Sequence, residues 1–144
     1  MNILNKVNLS KFYQVLPLDE IKTDSSTIIK IIDKNKKNFS DINEIYSTTI
    51  KKDVIRAWKK HTEMTCNIFV IKGLIKFLFY DDSFKAYEEI ILKENKKEIL
   101  EIKPNIWFGF KGFHEENTLI NFSNIIHDEK EVLKKKYNAK HRVF

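Results

Sequence analysis

Several residue types are scarce in this sequence, and each scarcity excludes a class of protein. Only three of the 144 residues are glycine and two are proline, which excludes a collagen-like or low-complexity chain. The single cysteine, Cys66, cannot form an internal disulfide, as is usual in a reducing cytoplasm. No apolar run approaches the roughly 20 residues of a membrane-spanning helix, and residues 1–6 lack the apolar region of a secretory signal. We therefore expect a cytoplasmic protein with no membrane partner.

Arginine is also scarce, with only Arg56 and Arg142 in the chain. Lysine supplies most of the 26 basic residues, which exceed the 20 acidic ones and give a formal charge of +6. These lysines are scattered, whereas nucleic-acid-binding domains usually gather basic residues on one face and read bases with arginine. The composition therefore predicts no nucleic-acid partner. The positive balance fits either an anionic small substrate or a plain lysine-rich surface.

Aromatic residues are plentiful, with eleven Phe, five Tyr and two Trp. Hydrophobic residues make up 42% of the chain, so a buried core is expected. The length suits one domain, which we place at 1–144.

Short β-branched and aromatic runs alternate with turn residues along most of the chain, a pattern typical of an all-β sandwich or barrel. The predicted strands are 27–33, 45–50, 55–58, 65–72, 74–80, 88–92, 98–102, 106–110 and 118–122. The turn at Lys72-Gly73 and the turn over 93–97 each predict a β-hairpin. The polar stretch 34–43 is expected to form a loop. The tail over 128–136 fits either one helical turn or an extended arm.

The segment 56–61 concentrates polar chemistry beside apolar strands. If 55–58 is a strand, Arg56 and Trp58 share a face and His61 lies past its end, near the rim of the roll. Arg56 has the fork geometry to clamp an anion, and His61 can exchange protons near neutral pH. The alternative is a solvated lysine-rich turn with a surface histidine.

A second segment, 103–110, predicts a turn and then an aromatic strand in which Trp107 and Phe108 face opposite ways. One of these rings either packs in the core or stacks on a flat ligand. No metal is expected, because position 59 is lysine and no His-x-His pair exists. The remaining histidines, His114, His127 and His141, fall in predicted loops. Nucleophile-elbow and phosphate-loop motifs are absent from the sequence.

Several motifs, in their order and spacing, resemble one known family. They are Trp58-Lys-Lys-His-Thr-Glu-Met-Thr65, Asn67, Lys72-Gly73, Tyr80-Asp-Asp82, Pro104-x-x-Trp-x-Gly-Phe110 and Asn121-x-x-Asn-x-x-His-Asp128. Together they are similar to the cupins related to dTDP-4-dehydrorhamnose 3,5-epimerase, whose relatives include 3,4-ketoisomerases. The likeness runs from about residue 42 to 128. It implies a cupin-type jelly roll (a double-stranded β-helix) with a short C-terminal arm or helix, forming a homodimer without cofactor or metal.

The resemblance also implies a function and a set of site residues. The expected activity is epimerisation or isomerisation of a nucleotide-linked 4-keto sugar, dTDP-linked by analogy, for surface polysaccharide synthesis. His61 would be the base, and Lys59 stands where the epimerases carry their usual catalytic histidine. Tyr46, or alternatively Tyr80, would return the proton. The implied substrate-binding residues are Arg56, Trp58, Asn67, Lys72, Tyr80 and Trp107. Because the usual base is replaced, a nucleotide-sugar-binding protein without turnover is the alternative.

Overall fold

The computed structural model describes residues 10–35, 41–138 and 144. Within these ranges the regular secondary structure is β-strand, apart from one short 3₁₀ turn at Glu129–Glu131. The strands are β1 (Gln14–Pro17), β2 (Asp19–Lys22), β3 (Thr27–Lys30), β4 (Glu44–Lys51), β5 (Ile55–His61), β6 (Cys66–Lys72), β7 (Leu74–Tyr80), β8 (Tyr87–Lys93), β9 (Glu98–Ile102), β10 (Trp107–Gly112), β11 (Glu116–Ser123) and β12 (Val132–Lys134). All nine predicted strands are confirmed, and β1, β2 and β12 were not predicted as strands. Part of the predicted loop over 34–43, and His141, lie outside the described residues.

Two five-stranded antiparallel sheets make up the body of the fold. The first sheet has the order β1-β9-β6-β11-β4, and the second has the order β12-β5-β10-β7-β8. Strands β2 and β3 form a separate two-stranded sheet. This arrangement confirms the all-β prediction. Among the described residues, no helix is long and apolar enough to cross a membrane.

The prediction of two hairpins is wrong. The strands on either side of each turn do not pair with each other, because each turn carries the chain from one sheet to the other. Strand β6 belongs to the first sheet and β7 to the second. Strand β8 belongs to the second sheet and β9 to the first. The turn at Gly73 has a positive φ of 81°. A Cβ atom at this position would lie 2.4 Å from the Asn117 side chain and 2.6 Å from the Glu116 carbonyl oxygen. Glycine is therefore required there both by conformation and by close approach.

The core lies between the two sheets, and the pleat of the strands decides which side chains enter it. On β7, Phe77 and Phe79 belong to this core and are fully buried. Leu78 and Tyr80 point to the outer face of the same sheet, where they pack with Trp58. The opposite orientations predicted for Trp107 and Phe108 are confirmed, because Trp107 packs with this outer cluster and Phe108 with the core.

Asn117 on β11 joins four separate backbone groups at the end of the roll where the chain changes sheet. Its Oδ1 accepts from the N–H of Leu74 at 3.0 Å and from the N–H of His114 at 3.1 Å. Its Nδ2 donates to the carbonyl of Ile50 at 3.2 Å and to the carbonyl of His114 at 2.8 Å. The side chain is fully buried, so these bonds have no water to replace them. A single amide thus ties the Gly73 turn to its neighbours.

The tail contains both of the structures that the sequence left open. Asp128 caps the 3₁₀ turn by accepting from the N–H of Lys130 at 2.9 Å. Strand β12 follows and pairs with the end of β5, so that Val132 lies opposite His61 and Lys134 lies opposite Lys59. This pairing brings the tail to the residues singled out in the sequence.

Candidate active site

A cavity of about 530 Å³ opens between the edges of the two sheets. Strands β5 and β12 supply one side, and Tyr46 on β4, the edge strand of the first sheet, supplies the other. Its lining residues are Tyr46, Arg56, Ala57, Trp58, Lys59, His61, His127, Glu129, Val132, Lys134, Lys135 and Lys136. Basic groups predominate in this lining, so the cavity suits an anionic guest.

An irregularity in β5 changes which side chains face the cavity. Phe108 lies opposite Lys59 and Phe110 lies opposite Arg56. The interval from Arg56 to Lys59 on β5 is therefore one residue longer than the interval on β10 with which it pairs. Directly opposed residues share a face, and both phenylalanines face the core. Arg56 therefore shares a face with Lys59. The predicted pairing of Arg56 with Trp58 is wrong, because the extra residue turns the Trp58 ring outward onto Tyr80, 5.2 Å away.

His61 is held by a buried carboxylate. Its Nδ1 lies 2.5 Å from Oε1 of Glu131, and both side chains are almost fully buried. Oε2 of Glu131 accepts from the backbone N–H groups of Glu63 at 3.1 Å and Met64 at 3.2 Å. The carboxylate is thus satisfied on both oxygens, and the imidazole ring is fixed with Nδ1 occupied. His61 is the last residue of β5 and does not lie past its end as the sequence suggested, because β5 runs three residues further than predicted.

Burial and hydrogen bonding set the charge of this pair. Burial lowers the pKa of His61, while the hydrogen bond and charge of Glu131 oppose that effect. Burial also disfavours the ionised form of Glu131, but its hydrogen bonds from His61, Glu63 and Met64 outweigh this and lower the pKa of the Glu131 carboxyl. The resulting state is a neutral imidazole that donates from Nδ1 to a carboxylate. Its Nε2 lone pair is available as a base.

Arg56 and Lys59 bring two positive charges to the cavity without carboxylate partners. Among the described residues, no Asp or Glu oxygen lies within 4.0 Å of either charged group. Burial, reinforced by the neighbouring Arg56 guanidinium, lowers the pKa of Lys59. By contrast, Lys134 pairs with Glu129 at 3.1 Å. Two uncompensated cations side by side form a site that an anionic group would stabilise.

Tyr46 reaches the cavity from the opposite sheet. Its hydroxyl oxygen accepts from Nδ2 of Asn121 at 2.8 Å, which fixes the ring. Burial is the largest cause that raises the pKa of Tyr46, so the phenol keeps its proton at neutral pH. The cavity thus contains the neutral imidazole of His61 and the protonated phenol of Tyr46, a combination suited to proton transfer.

Four of the predicted substrate-binding residues do not line this cavity. Asn67 is fully buried and donates from Nδ2 to the carbonyl of Phe122 at 3.0 Å. Lys72 lies at the end of β6, where it pairs with a carboxylate 2.8 Å away. Tyr80 and Trp107 face outward from the second sheet, because the pleat places them opposite the core positions. Arg56, Trp58, Lys59, His61 and Tyr46 are the predicted residues that the fold brings together.

Sequence reasoning missed the contribution of the tail and of the loop before it. Glu131 lies 70 positions from His61, and no local spacing indicates this pairing. His127 and Glu129 also line the cavity, with His127 Nε2 2.9 Å from Glu129 Oε1. The sequence feature that could have indicated His127 is its place in the motif Asn121-x-x-Asn-x-x-His-Asp128, which carries the family resemblance.

Comparison with known proteins identifies the fold. No protein-family model matches the chain. The curated protein "Probable low-salt glycan biosynthesis epimerase Agl13" from Haloferax volcanii is 30% identical over 82 residues, which cover 52% of this chain. The match spans about half, 53%, of that protein's length.

Two solved structures superpose on nearly the whole chain. A dTDP sugar isomerase from Desulfovibrio desulfuricans G20 has a TM-score of 0.79 and 23% identity, and the match covers 93% of this chain and 88% of that one. A mutant of the 3,4-ketoisomerase QdtA from Thermoanaerobacterium thermosaccharolyticum, in complex with TDP-4-keto-6-deoxyglucose, has a TM-score of 0.77 and 19% identity, with coverage of 88% and 90%. At these identities the likeness establishes the fold and leaves the activity to the chemistry of the site.

Proposed function

Because this chain has the cupin fold of the dTDP-sugar epimerases and 3,4-ketoisomerases, we propose that it epimerises or isomerises a nucleotide-linked 4-keto sugar. The observation that carries the proposal is a single cavity lined by the carboxylate-bound imidazole of His61 and by the unpaired cations Arg56 and Lys59. The first supplies a base, and the others suit a diphosphate or a developing oxyanion. The glycan-biosynthesis relative supports a role in surface polysaccharide synthesis.

In the proposed reaction, Nε2 of neutral His61 removes a proton from the carbon next to the ketone. The electron pair of the broken C–H bond moves to the carbonyl oxygen and forms an enolate. Cationic Lys59, placed two residues before His61 on the same face of β5, stabilises this oxygen. Tyr46 returns a proton from the opposite sheet. The family resemblance puts Lys59 at the usual position of the base. We assign the base to His61, because a neutral imidazole can accept the proton without a further shift of its pKa.

Arg56 is proposed to hold the diphosphate, because its fork geometry matches phosphate oxygens. Replacing Arg56 with Gln is expected to weaken dTDP binding about 10-fold, as loss of one charge-assisted contact does. Lys72→Met is the matched control and should leave the affinity unchanged, since Lys72 pairs with Glu116 outside the cavity. Isothermal titration calorimetry measures both. A larger loss in the Lys72 variant would contradict this assignment.

Solvent exchange tests the proposed reaction directly. The protein is incubated in heavy water with dTDP-4-keto-6-deoxyglucose, and mass spectrometry follows deuterium incorporation at carbons 3 and 5. Exchange above a buffer control, together with new sugar resonances by NMR, is the expected result. Absence of exchange would overturn the proposal.

A second function, binding of a nucleotide sugar without turnover, is favoured by one observation. The position that resembles the usual catalytic base is Lys59, whose pKa is lowered by burial but whose side chain has no activating carboxylate among the described residues. Tight calorimetric binding of the same sugar nucleotide without deuterium exchange is the result that would establish it.

Glu131 is proposed as the residue that positions His61. The rate requires neutral His61, which is present above its pKa, and burial lowers that pKa below its usual 6.5. We therefore expect the acid limb of kcat/KM for exchange to inflect below pH 6.5. Glu131→Gln removes the charge that opposes burial, so the inflection should move to lower pH and the plateau should fall at least about 10-fold. An inflection that stays in place would show that Glu131 does not act through His61.

The same proposal extends to assembly and location. We propose a homodimer in the cytoplasm with the nucleotide sugar as its ligand, as the family resemblance and the composition imply. Sedimentation velocity of the full chain measures the assembly state.

A further inference from the structure

Two histidines, each bonded to a carboxylate, line the proposed active site. The first is His61 with Glu131, described above. The second is His127 with Glu129, in which Nε2 of the imidazole lies 2.9 Å from Oε1 of the carboxylate. Both imidazoles line the same cavity, although they come from β5 and from the loop after β11.

The loop holds His127 in a defined position. Its backbone N–H donates to Oε1 of Glu44 at the start of β4, 3.3 Å away. Asn43, beside Glu44, donates from Nδ2 to the carbonyl of Asn124 in the same loop. The loop is thus attached to the edge strand of the first sheet. The backbone of His127 is therefore fixed beside β4, while its ring reaches Glu129.

The two pairs differ in burial in a way that suits different tasks. The His61 and Glu131 side chains are 5% and 3% exposed, whereas the His127 and Glu129 side chains are 49% and 68% exposed. A buried neutral imidazole with Nδ1 held by a carboxylate is a base of fixed orientation, with Nε2 left to face the cavity. An exposed imidazole at the mouth exchanges its proton with solvent between turnovers.

We propose that His127 is a second catalytic residue, which delivers the proton that completes the reaction begun by His61. This inference rests on the proposed function and replaces Tyr46 as the proton donor. His61 Nε2 takes the proton from the carbon beside the ketone, and the enolate forms. His127, in the form protonated on both ring nitrogens with Nε2 on Glu129, then gives the proton on Nδ1 to the same carbon from its other face, which completes an epimerisation and restores the carbonyl. In an isomerisation the proton goes instead to the former carbonyl carbon, while the proton of the neighbouring hydroxyl moves to the former carbonyl oxygen, so that the new carbonyl forms at the carbon that lost its proton. The proton gained by His61 and the proton lost by His127 are re-equilibrated with water.

The proposal separates exchange from conversion. Without His127, the proton on His61 exchanges with solvent deuterium and His61 then returns a deuteron to the carbon that lost the proton, so deuterium enters the substrate while little product forms. His127→Gln should therefore lower product formation from dTDP-4-keto-6-deoxyglucose by about 10²-fold or more, as loss of a general acid does. Deuterium wash-in should stay within about 3-fold of the unmodified protein. His114→Gln is the matched control, since His114 is exposed and does not line the cavity.

Each outcome decides between the claims. Equal loss of wash-in and conversion in His127→Gln would overturn the proton-delivery role, and so would unchanged conversion. Conversion lost in Tyr46→Phe but retained in His127→Gln would assign the donor to Tyr46. If the unmodified protein neither exchanges nor converts the sugar, the proposed function itself fails, and this inference fails with it. Circular dichroism and thermal melting of each variant verify that the fold is intact.

Discussion

Replacing His61 with Gln is expected to lower the rate of deuterium wash-in by about 10²–10⁴-fold, the usual range for loss of a general base. Glutamine retains an N–H that can donate to Glu131, so the buried carboxylate keeps a partner and the fold should persist. The amide has no basic lone pair, and this difference is the one under test. The measurement is the initial rate of mass gain in heavy water at saturating sugar nucleotide.

His114→Gln controls for loss of a histidine elsewhere in the chain, and dTDP affinity controls for an intact cavity. Affinity within about 3-fold of the unmodified protein is expected for both variants, because neither removes a cation from the cavity. If His61→Gln exchanges at more than half the normal rate, His61 is not the base. Lys59→Met then becomes the decisive variant, since Lys59 is the other group on that face with a lowered pKa.

Replacing Asn117 with Ala is expected to lower the free energy of unfolding by about 3–5 kcal/mol. Four backbone groups lose their hydrogen-bond partner, and an unsatisfied buried group costs about 1–3 kcal/mol before any relaxation or entry of water. The midpoint of thermal unfolding should fall by about 10 °C for a chain of this size. Urea denaturation followed by tryptophan fluorescence measures the free energy.

Glu115→Ala is the matched control two residues away. The Glu115 side chain is 92% exposed and lies 4.0 Å from Lys52, so its loss should change stability by no more than about 0.5 kcal/mol. A change below about 1 kcal/mol in the Asn117 variant would mean that water replaces its bonds. In that case the turn at Gly73 does not depend on this amide.

Much of the secondary structure was predictable because it depends on local pattern. Each of the nine predicted strands is present, since β-branched and aromatic runs bounded by turn residues require little long-range information. The turns at Gly73 and over 93–97 were also found at the right places. The pairing of the strands that flank these turns was not predictable. Leu74, directly after the first turn, pairs with Lys93 of β8 rather than with a residue of β6.

The site was partly predictable for a similar reason. Arg56, Lys59 and His61 lie within six positions of one another, so the sequence could single them out. Their common face could not be deduced, because it depends on a bulge in β5 that shifts the alternation by one residue. Asn67, Tyr80 and Trp107 carried the family resemblance as motif residues, yet in the fold they do not line the cavity.

The sequence by itself determined that this chain folds as an all-β roll, where nine of its strands lie, and that an arginine, a lysine and a histidine lie close together beside apolar strands. Only the tertiary structure decided which charges meet. Strand β12 returns 70 residues later to place Glu131 against His61, and the loop before it brings His127 to the same cavity. Sheet pairing joins segments that are distant in sequence, and a histidine takes its chemical character from its burial and from the carboxylate it meets there.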